Sequence, residues 1–202
     1  DEVHMLTREA FNALLKTLEE PPEHGIFILA TTELQKVPDT IVSRTQHFAF
    51  RKIPIPEIIL ELKKICSKES INITDEGLKL IAFFADGSLR DAENILFQVA
   101  SMGEKSIKEE SVRMLLGAPE EEVVNKITKF ALEKNVFGAL KALDEVLERG
   151  VVPELLSKLL LRNFRAIYFL ALDAKNEDIL RHEFADDEIK AFSAMGGNAS
   201  RD

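Results

Sequence analysis

From Arg51 onward the chain changes character to helices only, and that change limits what it can fold into. Pro54 and Pro56 mark the break, and Glu57 to Lys68 then sets Ile59, Leu62, Ile65 and Cys66 on one helical face. Thr74 is placed to cap a helix carrying Leu78, Ile81, Ala82 and Phe84, which Gly87 ends with a left-handed residue. Ser88 caps the next, with Asp91 three residues on in a variant of the capping box, and Ala92, Ile95, Leu96 and Val99 point inward until Gly103. A short helix from Glu109 to Leu116 closes a first helical group.

Gly117-Ala118-Pro119 marks a further boundary, and three more helices follow. Glu120 to Lys134 presents Val123, Val124, Ile127, Phe130 and Ala131; Phe137 to Arg149 presents Leu140, Leu143, Val146 and Leu147, and Gly150 stops it. Pro153 to about Lys175 is apolar around most of its circumference, so it must be buried on more than one side, within a bundle or against another chain. A weak helix from Asp187 to Ala194 and a Gly196-Gly197 tail complete the chain. No internal repeat is evident.

The first fifty residues read differently. Thr7 caps a helix whose Phe11, Leu14, Leu15 and Leu18 share a face, and Pro21-Pro22 ends it. Ile26 to Ala30 reads as a buried strand of a parallel sheet, Pro38 opens a short helical segment, and Gln46 to Phe50 begins a second strand. Helix, turn and buried strand in this order are α/β punctuation. Thr31 and Thr32 end the first strand at its carboxyl tip, where open α/β sheets hold their ligands, and Arg44 follows closely. A hydroxyl on a strand tip beside the fork of an Arg suits a phosphate; a surface turn with a solvated Arg reads equally well from these residues alone. Asp1-Glu2 adds adjacent carboxylates, one able to orient toward a hydrated magnesium ion and the other to polarise a water.

Composition excludes several classes. A net charge of -9 over 202 residues argues against a surface that grips nucleic acid throughout, though it leaves room for local phosphate contacts. The lone Cys66 cannot form an internal disulfide or anchor a cysteine zinc site, and it reads as a small hydrophobe on a helix face. No run approaches the length of a membrane span and no signal peptide is marked, so the chain is expected to be cytoplasmic, with no membrane partner.

Asp1-Glu2-Val3-His4-Met5-Leu6, FNALLKTLEEPPEH at 11–24, FILATTELQKVP at 27–38, Ser43-Arg44 and GSLRDAENIL at 87–96 together resemble the gamma/tau subunit family of the bacterial DNA polymerase III clamp loader, to about residue 184. The resemblance implies a mostly α chain. A truncated α/β remnant of an AAA+ (RecA-like) nucleotide-binding subdomain at 1–51 is followed by a helical lid at 52–117 and a helical collar, or oligomerisation domain, at 118–202. It implies a fragment that starts at the Walker B motif and holds neither a GxxxxGK[ST] loop nor a four-cysteine zinc module, inactive by itself.

The same resemblance assigns Asp1 to magnesium (Mg) positioning through water and Glu2 to the base that orients the attacking water. Thr32 becomes sensor 1, with Thr31 the second choice; Arg44 becomes an arginine finger acting in trans, and Arg90 becomes sensor 2. Thr45 stands where the family usually has Cys. ATP and Mg are expected in the full-length parent and none in the fragment. Expected partners are delta, delta-prime and further gamma/tau copies through the collar, together with the sliding clamp and primed DNA. The parent's function is then to couple ATP binding and hydrolysis to loading the clamp during replication. The alternatives are a non-hydrolysing delta-prime-type subunit and a non-catalytic helical interaction scaffold.

Overall fold

A computed structural model describes residues 1–173 and 176–196. The chain is mostly α, with eleven α-helices and no β-strand among the described residues, the one bridge being a parallel pair between Ile73 and Ile107. It divides into two compact units, one spanning Asp1–Arg51 and the other beginning at Lys52.

In the first unit, a 3-10 turn at Val3–Met5 leads into α1 (Arg8–Glu19), a second 3-10 turn covers Leu34–Lys36, and α2 (Asp39–Val42) follows Pro38. Thr7 caps α1, its hydroxyl accepting from the Ala10 N–H at 3.2 Å, as the sequence predicts. Val3, Phe11, Val37 and Ile41 form a small core, with Leu15, Leu18, Leu29 and Val42 packed on it.

Both expected strands are corrected. Ile26 to Ala30 and Gln46 to Phe50 carry no ladder, and neither is buried: Ile26 is 89% exposed and Phe50 97%. A strand is completed by its neighbours, and within this unit no second chain segment pairs with either run. Only Leu29 of the first run packs on the core, while the Ala30 carbonyl accepts the Val3 N–H at 2.9 Å. That one bond sets the end of the run beside the Glu2–Val3 backbone.

In the second unit, α3 (Ile55–Glu69), α4 (Asp75–Phe84), α5 (Leu89–Ala100) and α6 (Glu109–Leu116) enclose a core that includes Ile58, Leu62, Ile81, Leu96 and Val112. Cys66 belongs to it, free and buried, and burial pushes its thiol pKa up. The turn after α4 needs glycine at Gly87: its φ is 86°, and a Cβ there would lie 2.4 Å from that of Lys52. Its carbonyl accepts from the Ile53 N–H at 3.0 Å, and Lys52 Nζ reaches Asp86 Oδ2 at 2.6 Å, holding that carboxyl below its usual range. The helix itself stops earlier than Gly87, at Phe84.

Three further helices, α7 (Glu121–Leu132), α8 (Val136–Glu148) and α9 (Pro153–Leu172), share a second core around Val124, Ile127, Val146, Leu156 and Leu159. A third, around Ala166, Leu170, Phe184 and Phe192, joins α9 to α10 (Glu177–Leu180) and α11 (Asp186–Gly196). The all-round apolar pattern of α9 resolves into two faces. Leu156, Leu159, Ala166, Ile167 and Leu170 are buried, whereas Leu161, Tyr168 and Leu172 are 63–70% exposed. This helix stops at Leu172, short of the expected Lys175, because Asp173 is extended; of the expected Gly196-Gly197 tail, Gly196 closes α11, while Lys175 and Gly197 lie outside the described residues.

Candidate active site

The Val3–Met5 turn has Glu2 as its N-cap in the left-handed region, with φ 49° and ψ 48°. This conformation is uncommon for a residue other than Gly, Asn or Asp, and it turns the acidic pair out of line with the chain that follows. The Asp1 carboxylate folds back, its Oδ1 accepting the Glu2 N–H at 2.9 Å. From 30 residues away, Thr32 offers two donors to one oxygen: its N–H lies 3.4 Å and its Oγ1 3.2 Å from Glu2 Oε2. The Val3-to-Ala30 hydrogen bond positions this pair.

Thr31 faces a different partner. Its Oγ1 accepts the Glu33 N–H at 3.0 Å and lies 2.7 Å from His4 Nδ1. His4 in turn places Nδ1 3.2 Å from Glu2 Oε2 and Nε2 3.2 Å from Glu33 Oε2, and Lys36 Nζ completes the row at 2.8 Å from Glu33 Oε2. Neither His4 nor Glu33 stands out in the sequence as a site residue. The available signal was a histidine two positions after the acidic Glu2, inside the same turn.

Arg44 lies in the same unit but is held by α1 rather than by the acidic pair. Its Nε and Nη2 reach Glu19 Oε1 at 2.8 and 2.7 Å, and its Nη1 donates to the Thr40 carbonyl at 3.0 Å and to Ser43 Oγ at 3.3 Å. Thr45 turns its hydroxyl to the carbonyls of Ile41 and Val42, so it bonds only to α2 and its exit. Arg90 belongs to the second unit, exposed in the first turn of α5, which Ser88 caps by accepting the Asp91 N–H at 3.2 Å. The structure therefore brings Thr32 onto Glu2, sets Thr31 on His4, folds Asp1 back on the Glu2 N–H and leaves Arg44 on its own anchor.

Among the described residues no group of three or more His, Cys, Asp and Glu side chains is disposed to hold a metal ion. Magnesium does not need such a cage; it is usually bound through one or two carboxylates plus phosphate oxygens and water. The exposed Asp1 carboxylate, satisfied only by an adjacent N–H, has the chemistry for that outer role; the Thr32 hydroxyl, which donates to Glu2, and the Arg44 fork, which Glu19, Thr40 and Ser43 hold, are donors of the kind that phosphate oxygens accept.

Comparison with known proteins matches residues 1–54 to a family described as DNA polymerase III, delta subunit, and residues 57–105 to the ATPase lid domain of DNA polymerase III clamp loader subunits. Over 193 residues the chain is 40% identical to DNA polymerase III subunit tau of Bacillus subtilis, covering 96% of this chain and 34% of that protein. It is 42% identical over 151 residues to the gamma subunit of Buchnera aphidicola from Schizaphis graminum, covering 75% of this chain and 42% of that protein. To subunit tau of Escherichia coli it is 39% identical over 151 residues, covering 75% of this chain and 24% of that protein. The chain thus spans less than half the length of these relatives. It belongs to the DNA polymerase III clamp-loader subunit family. Among the described residues no helix is long and apolar enough to cross a membrane.

Proposed function

We propose that this chain supplies part of an ATP-hydrolysing site in a cytoplasmic clamp loader, one that couples nucleotide binding and hydrolysis to placing a sliding clamp on primed DNA. The observation that carries the reading is the convergence of Thr32 on Glu2 from 30 residues away: the residue that senses a phosphate and the residue that orients water share one carboxylate oxygen. Bound ATP supplies the phosphoanhydride, and its magnesium ion the charge that offsets the phosphate oxygens. The chain's residues then position and polarise. Asp1 holds the ion's water shell, Glu2 accepts the hydrogen bond of the attacking water, and Thr32, with Thr31 behind it, reads the terminal phosphate. The Arg44 guanidinium, already ordered by Glu19, Thr40 and Ser43, reaches the nucleotide of a neighbouring subunit, so hydrolysis depends on assembly. Arg90 reports nucleotide state to the lid.

The same reading divides the chain into a nucleotide-binding part at 1–51, a lid at 52–117 and a collar at 118–202. The exposed apolar residues of α8 (Val136, Phe137, Leu140, Leu147) and α9 (Leu161, Tyr168, Leu172) support a collar that meets delta, delta-prime and further gamma/tau copies. The 202 residues contain no GxxxxGK[ST] loop and are inactive by themselves. A second reading, a non-hydrolysing delta-prime-type partner, draws support from the delta-subunit match of residues 1–54.

Glu2→Gln in the full-length subunit within its assembly separates the two. The motor reading expects ATP hydrolysis to fall by about 100-fold or more while nucleotide binding persists. Unchanged hydrolysis would leave the non-hydrolysing reading.

A further inference from the structure

We propose that His4 is a positioning residue for Glu2, and this rests on the reading of Glu2 as the water-orienting base. Its side chain is 9% exposed, while the Glu2 and Glu33 carboxylates on either side are 46% and 36% exposed. The buried ring is therefore the fixed member of the row, and the two carboxylates are the members with room to move.

The chemistry follows from how many protons an imidazole carries. A neutral ring has one N–H and one acceptor nitrogen. With the proton on Nδ1, the ring donates to Thr31 Oγ1 at 2.7 Å and sets that N–H beside Glu2 Oε2, 3.2 Å from Nδ1, while Glu33 rests on Lys36. With the proton on Nε2, the N–H faces Glu33 Oε2, 3.2 Å from Nε2, and Nδ1 accepts the Thr31 hydroxyl. In both arrangements Glu2 Oε2 keeps the two donors of Thr32. The position of one proton thus decides whether Glu2 Oε2 has the positive end of an N–H or a bare ring nitrogen beside it. The N–H attracts that oxygen and the bare nitrogen repels it, so His4 sets both where Glu2 points and how freely it engages the nucleophile. Glu33 and Lys36 feed into the same decision from the other side of the ring. His4 touches no reacting atom in this arrangement and acts through Glu2.

Two substitutions dissect the ring. Asn places an amide where Nδ1 sits, and Gln extends one to where Nε2 sits. In the full-length subunit within its assembly, His4→Ala is expected to lower kcat for ATP hydrolysis by about tenfold while KM and nucleotide affinity stay within about twofold. His4→Asn should return kcat to at least about half of wild type, and His4→Gln should not. Asn doing no better than Gln overturns the proposal, even where His4→Ala proves unstable, as does an Ala variant with wild-type kcat. Glu2→Gln run alongside keeps the two levels apart. If it retains full hydrolysis, the reading of Glu2 fails and takes this proposal with it. If it abolishes hydrolysis while His4→Ala is unaffected, only the proposal fails.

Discussion

Arg162, on α9, is a charge that the helical unit encloses rather than excludes. Its guanidinium lies 3.9 Å from the Phe184 ring centroid and 5.2 Å from that of Phe83, donates to the Glu183 carbonyl, and has Glu188 Oε1 3.8 Å from Nη1. Its Nε has no hydrogen-bond partner, leaving the aromatic faces to compensate. Burial lowers the Arg162 pKa, with Glu188 opposing; burial also raises that of Glu188, with Arg162 opposing. Because the folded Glu188 pKa lies above its unfolded value, the native state binds more protons between the two. Its contribution to stability is complete below the ordinary glutamate range and is lost as pH rises through the folded value. Glu188→Gln removes that dependence, so urea midpoints measured from about pH 4 to 8 should shift in favour of the variant as pH rises. Midpoints that run parallel for both proteins contradict it. Neither Arg162 nor His4 was legible in the sequence as an enclosed group, for the same reason. Of the rings that enclose Arg162, Phe83 comes from α4 and Phe184 from the turn between α10 and α11, and His4 meets Thr31 across 27 residues. Glu2 and Thr32 were legible as residue types suited to a site, but their shared oxygen was not.

At the scale of elements, legibility follows how local the determinants are. Thr7, Thr74 and Ser88 announce their helices because the hydroxyl that caps a helix sits next to it in the chain, and each accepts the expected N–H at 3.2 Å. Asn135 does the same for α8 through the Gly138 N–H at 3.0 Å, in a polar stretch where no cap stands out. The expected strands failed because an apolar run specifies extension but not the neighbour that makes it a strand. The short α10 escaped notice because four residues carry too little periodicity to register. Ser88 carries more than its own helix, since the first turn of α5 holds Arg90. Ser88→Ala should cost about 1 kcal/mol, read as a lower urea midpoint. A loss below about 0.3 kcal/mol would mean that packing of Ala92 and Leu96 alone holds the start of α5.

For the whole molecule, the two units differ in how completely they bury their apolar residues. The second encloses three cores and leaves apolar stripes on α8 and α9, while the first packs four buried residues and leaves Ile26, Ile28, Phe48 and Phe50 at 66–97% exposure. Exposed apolar surface of this kind marks faces that meet other protein. A subunit that meets neighbours on such faces can divide a site between chains, with Glu2 on one and Arg44 on the next. Two full-length variants test that division, Glu2→Gln and Arg44→Ala, assayed for ATP hydrolysis separately and then mixed within one assembly. Each alone should be inactive, and mixing should restore part of the wild-type rate, because an Arg44→Ala copy still offers Glu2 to a neighbour that still offers Arg44. A mixture no more active than its components contradicts a site shared between subunits.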